Sequence, residues 1–515
     1  MRRLVAAVLV LALVAAAVGL AVSLVLRNPG RSSEQPRAPR TEAAPEPGSE
    51  RPPDDALAPF YGQRLSWSPC DEHECATLEV PLDYEQPEGR SIEVALLRVA
   101  AGGRPLGSLV VNPGGPGAPG TSYAAAASQV LGEALLRDYD IVGFDPRGTG
   151  SSAPVDCLSD AELDAYLATD PSPDDPPEVD RFVGLLGSIG RGCAAGDASL
   201  AAHVSTIEAA RDLDVLRSAL GQRRLDYLGK SYGTKLGATY AELFPDRVGR
   251  FVLDGALDVS LGSRQLSLGQ AEGFETALRA YVANCVETTD SCFLGDSVDE
   301  GLTRINDFLG EVDAAPLPTD QTRELQVGNA FYGIVTPLYD RASWTVLSGA
   351  LRAGLSGDGT PLLQLSDVYA ARGPGGYTDN RSEAFLAISC LDDPYALPAR
   401  RVPRQLPAFR AVSPTFGDVF AWGLSGCLGH VARTTEEPLE IDGSGAAPIV
   451  VVGTTRDPAT PYEWSQALAD QLESAVLVSR DGDGHTGYQS GNACVDEAVE
   501  NFYLDGTVPD DGLTC

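Results

Sequence analysis

Apolar residues fall along this chain in three kinds of run. The first, Leu4 to Leu26, holds no charged residue over 23 positions and follows Met1-Arg2-Arg3; a bilayer span needs about 20. The second kind is short and rich in β-branched residues. Ser108 to Val111, Tyr139 to Val142, Leu225 to Leu228, Phe251 to Leu253, Pro448 to Val452 and Ala475 to Val478 read in this way as strands. The third has helical spacing: Ile207, Ala210, Leu213, Leu216 and Leu220 lie between a cap at Ser205 or Thr206 and a terminating Gly221. Thr234 to Phe244 supports a further helix, stopped by Pro245.

From Leu261 to about Glu440 the pattern turns predominantly helical, as in Gln265 to Val286 and Ser297 to Val312, with irregular Gly/Pro stretches between and no internal repeat. Asn28 to Ala58 is rich in Pro, Ser, Glu and Arg and nearly free of large apolar residues, so a disordered tether is expected there. The leading run with its positive flank is an export signal. Ala21 and Ser23 would permit cleavage, but apolar residues continue past them, which favours an uncleaved anchor over a cleaved signal peptide. No cysteine precedes Cys70, so an N-terminal lipid anchor is not expected.

Composition narrows the partners and the compartment. A net charge of −34 excludes nucleic acid as a partner and reads mainly as solvation of the surface. Ten cysteines behind an export signal, none in a C-x-x-C or metal-like cluster, point to disulfides in an extracytoplasmic setting and to no metal or other cofactor. Order along the chain suggests Cys70 with Cys75, Cys157 with Cys193, Cys285 with Cys292, Cys390 with Cys427, and Cys494 with Cys515.

Chemistry enters at Gly229-Lys230-Ser231-Tyr232-Gly233, a G-x-S-x-G between an apolar run and the head of a helix. This is the signature of a nucleophile elbow, in which a tight strand-to-helix turn pushes the serine hydroxyl outward. A serine needs a base, and the chain holds four histidines. His485, in the loop Asp481-Gly482-Asp483-Gly484-His485 after a strand, is the best placed. Asp457, in the loop after Pro448 to Val452, is the leading acid to orient it; Asp254 or Asp258 is the reserve. For the oxyanion, the amide of Tyr232 and that of Gly115, in Asn112-Pro113-Gly114-Gly115-Pro116-Gly117, are the candidate donors. Lys230 and Lys235, the only two lysines, flank the serine without an evident role.

Taken together, NPGGPG, DPRGTGSS, GKSYGT, VLDG, GTTRDPATP and a glycine-flanked GH resemble the secreted actinobacterial tripeptidyl aminopeptidases, relatives of proline iminopeptidase, and the mycobacterial cell-envelope serine hydrolases of that group. The likeness runs from about Cys70 to Cys515; Pro113 stands where proline iminopeptidases usually carry a histidine. It implies an α/β-hydrolase fold, with a mostly parallel sheet, helices on both faces and a largely helical inserted cap. The expected divisions are residues 1–27 as signal peptide or signal anchor, 28–58 as linker, 59–260 as the first part of the core, 261–445 as the cap and 446–515 as the C-terminal part of the core. The expected function is that of an exported serine exopeptidase acting on peptide or protein N-termini through an acyl-enzyme on Ser231. A secreted esterase or lipase with the same triad is the alternative, and a noncatalytic envelope binding protein a weaker one. An aminopeptidase needs a carboxylate for the substrate's α-ammonium group, and Asp392, beside Cys390, is the candidate. Contact with the membrane is expected through the N-terminal segment if it stays uncleaved.

Overall fold

The computed structural model describes residues 45–289 and 291–515. Leu4 to Leu26, and with it the expected signal or anchor, lies outside the described residues; among those described, no helix is long and apolar enough to cross a membrane.

The first strands are β1 (Ser68–Cys70), β2 (His73–Pro81), β3 (Ser91–Val99), β4 (Ser108–Asn112), β5 (Asp140–Phe144), β6 (Leu225–Lys230) and β7 (Val248–Asp254). A two-stranded hairpin follows, β8 (Arg372–Gly373) with β9 (Gly376–Tyr377), and then β10 (Ile449–Arg456), β11 (Ala475–Asp483) and β12 (Leu513–Thr514). Ten of them form one sheet in the order β1-β2-β3-β5-β4-β6-β7-β10-β11-β12. Pairing is antiparallel from β1 through β3 to β5 and parallel from there on.

Residues of the parallel strands alternate between two apolar layers. Val110, Val142, Tyr227, Phe251 and Val451 face one core; Leu109, Val111, Leu228, Val252 and Val450 face the other. Helices Thr206–Ala219 and Tyr232–Leu243 cover the first face, and Gly120–Ala125 and Ala493–Asp505 contribute to the second. Burial on both sides is why these strands read as continuous apolar runs. Ser205 caps the first helix as the sequence suggests, its side chain accepting from the Glu208 amide.

The chain leaves the sheet after Asp254 and re-enters at Ile449. Between them, helices Ser263–Thr288, Val298–Ala314, Val327–Val335, Trp344–Gly354 and Thr360–Tyr369 close on their own apolar cluster around Leu278, Ile305 and Leu347. A second excursion, between β5 and β6, was not expected within a core assigned to residues 59–260. Its helix Pro176–Gly196 packs Phe182 and Leu186 against Ala271, Phe409 and Trp422 of the insertion. Two separate pieces of chain therefore build the roof over the sheet.

Residues 45–58 are not the unpacked tether their composition predicts. The Gly48 amide donates to Ser218 O at 3.0 Å, Glu46 pairs with Arg64, and Leu57 is buried in the same core as Phe60. Apolar anchors at the end of a proline-rich stretch suffice to dock it. Five disulfides join Cys70–Cys75, Cys157–Cys193, Cys285–Cys292, Cys390–Cys427 and Cys494–Cys515, a density that suits an oxidising, extracytoplasmic compartment.

Candidate active site

Parallel strands end on the same edge of a sheet, so residues just past the C-terminal ends of β6, β10 and β11 are gathered by topology alone. Those residues are Ser231, Asp457 and His485. Ser231 joins β6 directly to helix Tyr232–Leu243, with φ 56° and ψ −125°. A non-glycine residue in that region stores strain and persists only when its surroundings hold it. Its amide donates to Asp254 O at 2.9 Å. Close packing fixes the glycines around it: a Cβ on Gly229 would stand 2.3 Å from Gly233 O.

The Asp457 side chain is fully buried. Its oxygens lie 2.8 and 2.9 Å from His485 Nδ1 and also accept from the amides of Ala459 at 2.9 Å, Thr460 at 2.8 Å and Thr486 at 3.1 Å. Thr460 Oγ1 lies 3.3 Å from the same ring nitrogen. With Nδ1 engaged, Nε2 is the free ring nitrogen, buried and without a hydrogen-bond partner among the described residues. The ring sits beside the elbow. A Cβ on Gly255, which follows the residue bonded to the Ser231 amide, would lie 3.2 Å from His485 Cε1.

The roof reaches down to this loop. The His485 amide donates to Tyr339 O at 2.7 Å, the Tyr339 ring meets the imidazole edge-on at 5.5 Å, Asp340 bridges to Gly484, and Arg341 pairs with Asp483 at 3.0 Å. On the other side, the glycine loop after β4 runs against the elbow. A Cβ on Gly114 would fall 2.5 Å from Lys230 O and 2.9 Å from Ser231 Cβ, so main chain, with the Gly115 amide next along it, passes close to Ser231. The Tyr232 amide stands at the first position of the helix, where it has no intrahelical acceptor.

The TAP-like protein family model matches residues 413–515, the stretch that carries β10, Asp457, β11 and His485. Serine protease Hip1 of Mycobacterium tuberculosis is 35% identical over 490 residues, covering 89% of this chain and 92% of that one. The chain belongs to the TAP-like α/β-hydrolase family. Carboxylesterase B of the same organism is 37% identical over 93% of this chain and 94% of its own. Tripeptidyl aminopeptidase of Streptomyces lividans is 29% identical over 86% and 83%. These relatives make the TAP-like protein a serine hydrolase.

Other sequence candidates of this TAP-like hydrolase stand apart from the Asp457 and His485 pair. Asp254 gives its carboxylate to the amides of Gly487 at 2.7 Å and Tyr488 at 3.0 Å, and Asp258 binds Ser260 and Gln471. Asp392 does not offer the open carboxylate expected for an α-ammonium group. It accepts from the Thr206 amide at 2.9 Å and Thr206 Oγ1 at 2.5 Å, and Lys235 already supplies its counter-charge at 2.7 Å. Thr206 Oγ1 in turn meets Tyr232 OH at 2.7 Å, so Asp392 braces the helix behind the elbow; burial, then Asp392, push the Tyr232 hydroxyl well above its usual pKa.

Two groups of described residues bring three ligating atoms within 4.8 Å of one another, Asp83 with His203 and Glu208, and Asp170 with Glu178 and Asp313. Neither includes the elbow, and in the first Arg147 already lies 3.2 Å from Glu208.

Proposed function

We propose that this protein is an exported serine exopeptidase that cleaves peptide bonds near a free N-terminus, with Ser231 as nucleophile, His485 as base and then acid, and Asp457 as its orienting partner. The observation that carries it is a buried carboxylate on His485 Nδ1, with Nε2 left without a partner among the described residues, in a turn past the end of one parallel strand while a strained serine stands at the end of another in the same sheet. In acylation, Ser231 Oγ attacks the scissile carbonyl carbon while its proton passes to His485 Nε2. Asp457 holds the ring tautomer and stabilises the imidazolium. Negative charge on the tetrahedral intermediate falls within reach of the Tyr232 and Gly115 amides, donors worth roughly 3–4 kcal/mol each in comparable sites. Collapse breaks the C–N bond, His485 returns the proton to the departing amine, and water, deprotonated by the same nitrogen, hydrolyses the acyl-enzyme.

Substrate class rests on the motif resemblance and on the tripeptidyl aminopeptidase of Streptomyces lividans. The likeness to carboxylesterase B favours ester hydrolysis as the second reading. The segment 1–27 would either hold the enzyme at the outer face of the membrane or be removed on export.

A tripeptidyl arylamide with a free N-terminus, its N-acetylated form and a p-nitrophenyl ester, compared under one set of conditions, separate the two. The exopeptidase reading requires the free arylamide to be turned over and the acetylated one to be spared. Equal turnover of both arylamides overturns it, and hydrolysis of the ester alone transfers the assignment to the esterase.

A further inference from the structure

Lys230 occupies the variable position of G-x-S-x-G and, with Asp254, is one of two register partners that flank the Ser231 amide bond to β7. Both side chains point to the same place. Lys230 Nζ donates to Tyr488 O at 2.9 Å and to Thr486 Oγ1 at 3.4 Å. Asp254 accepts from the Gly487 and Tyr488 amides at 2.7 and 3.0 Å, and the two charges stand 3.6 Å apart with side chains 13% and 0% exposed. The segment they grip, Thr486 to Tyr488, is the one that follows His485, and Thr486 itself has φ +72°.

Resting on the assignment of Ser231 and His485 above, we propose that the buried Lys230 and Asp254 pair is a positioning device for the reaction: it ties the strand carrying the nucleophile to the turn carrying the base, and so fixes the reach of His485 Nε2 to Ser231 Oγ. The elbow strand itself would then set the base, without any contact to substrate.

Energetics support a purpose beyond stability. A buried ion pair is often no more stabilising than apolar residues of equal volume, whereas in some proteins it serves to specify one geometry. Burial opposes the Lys230 charge, but Tyr123 and Asp254 outweigh it and hold its pKa above the usual value, so the ammonium stays charged with donors to spare for the turn. A compact ammonium also suits this slot better than the larger, planar guanidinium that serves elsewhere in a chain with only two lysines.

The test uses the full chain with Lys230→Met, Asp254→Asn and the double variant. Expected for folded Lys230→Met is a fall in kcat of about 10- to 100-fold with KM changed less than about threefold, the cost of a misplaced catalytic group. The double variant should lose no more than the worse single, since both act through one turn. The downfield proton resonance of His485 Nδ1–H, expected to be sharp in the native enzyme because Asp457 holds it, should broaden or shift in each single variant. An unchanged kcat and an unchanged resonance in a folded variant overturn the proposal, as does a change in KM alone. If Lys230→Met does not fold, the same criteria apply to Asp254→Asn. The resonance needs no substrate, so a wild type that cleaves neither arylamide nor ester defeats the exopeptidase reading and leaves this one to be decided by the spectrum.

Discussion

Both carboxylate oxygens of Asp457 lie within 2.9 Å of a single atom, Nδ1 of His485. That contact sets the tautomer: with the proton on Nδ1, Nε2 keeps its lone pair for the serine. Asp457→Asn presents an amide that stabilises the wrong tautomer, and kcat should fall about 10⁴-fold with KM little changed. Ser231→Ala should fall at least as far. Steady-state kinetics on the free tripeptidyl arylamide measure both, and a residual rate near wild type in Ser231→Ala would remove the serine from the mechanism.

Gly114 is held at φ +97° with no room for a side chain against Lys230 O and Ser231 Cβ. Gly114→Ala must therefore move the glycine loop or the elbow. A displacement of about 1 Å at a reacting group costs on the order of 100-fold, so kcat/KM should drop by that order while circular dichroism stays native.

Asp170 has its pKa pushed up to about 6 from 3.8, first by burial and then by Asp313 and Glu178. An acid that binds its proton more tightly when folded makes stability fall as pH rises from about 4 to about 6, and the penalty persists above that window. Asp170→Asn keeps an acceptor for the Ser172 amide, now 2.8 Å away, and removes the charge. Its Tm should exceed wild type at pH 8 by roughly 1–3 °C, given the small response of large domains per kcal/mol, and match it at pH 4. A gap of the same size at both pH values would rule out titration as its origin.

Cys390 and Cys427 close a loop with a sequence separation of 37 across the roof. Replacing both with serine should cost about 2–5 kcal/mol, seen as a lower midpoint in urea. Because helix Arg381–Asp392 ends at Asp392, which braces Thr206 behind the elbow, activity should be lost at a lower temperature than in the wild type.

How far the sequence speaks depends on the range of the interaction. Ser231, Asp457 and His485 each follow a short apolar run, and a local pattern suffices to place them past strand ends. Ala76, Leu78 and Val80 alternate through β2 with the period of a half-buried strand, a weaker signal than the continuous apolar runs of the parallel strands. Lys230 was another matter: its partner Tyr488 lies 258 residues away, and nothing local distinguishes a bridging lysine from a solvated one. Asp392 is the converse case. Its place beside Cys390 and the family resemblance suggest an available carboxylate, while Thr206 and Lys235, 186 and 157 residues away, have already engaged it. The helix Pro176–Gly196 joined the roof through side chains of Ala271 and Trp422, contacts that amphipathic spacing cannot assign to one partner over another.

Tyr339 carries a further consequence. Its carbonyl holds the His485 amide, and the next residue pairs with Gly484, so the chain inserted between β7 and β10 is stitched to the very turn that carries His485. Grafting this roof onto a related sheet, or trimming it away, would therefore disturb the placement of the His485 imidazole itself.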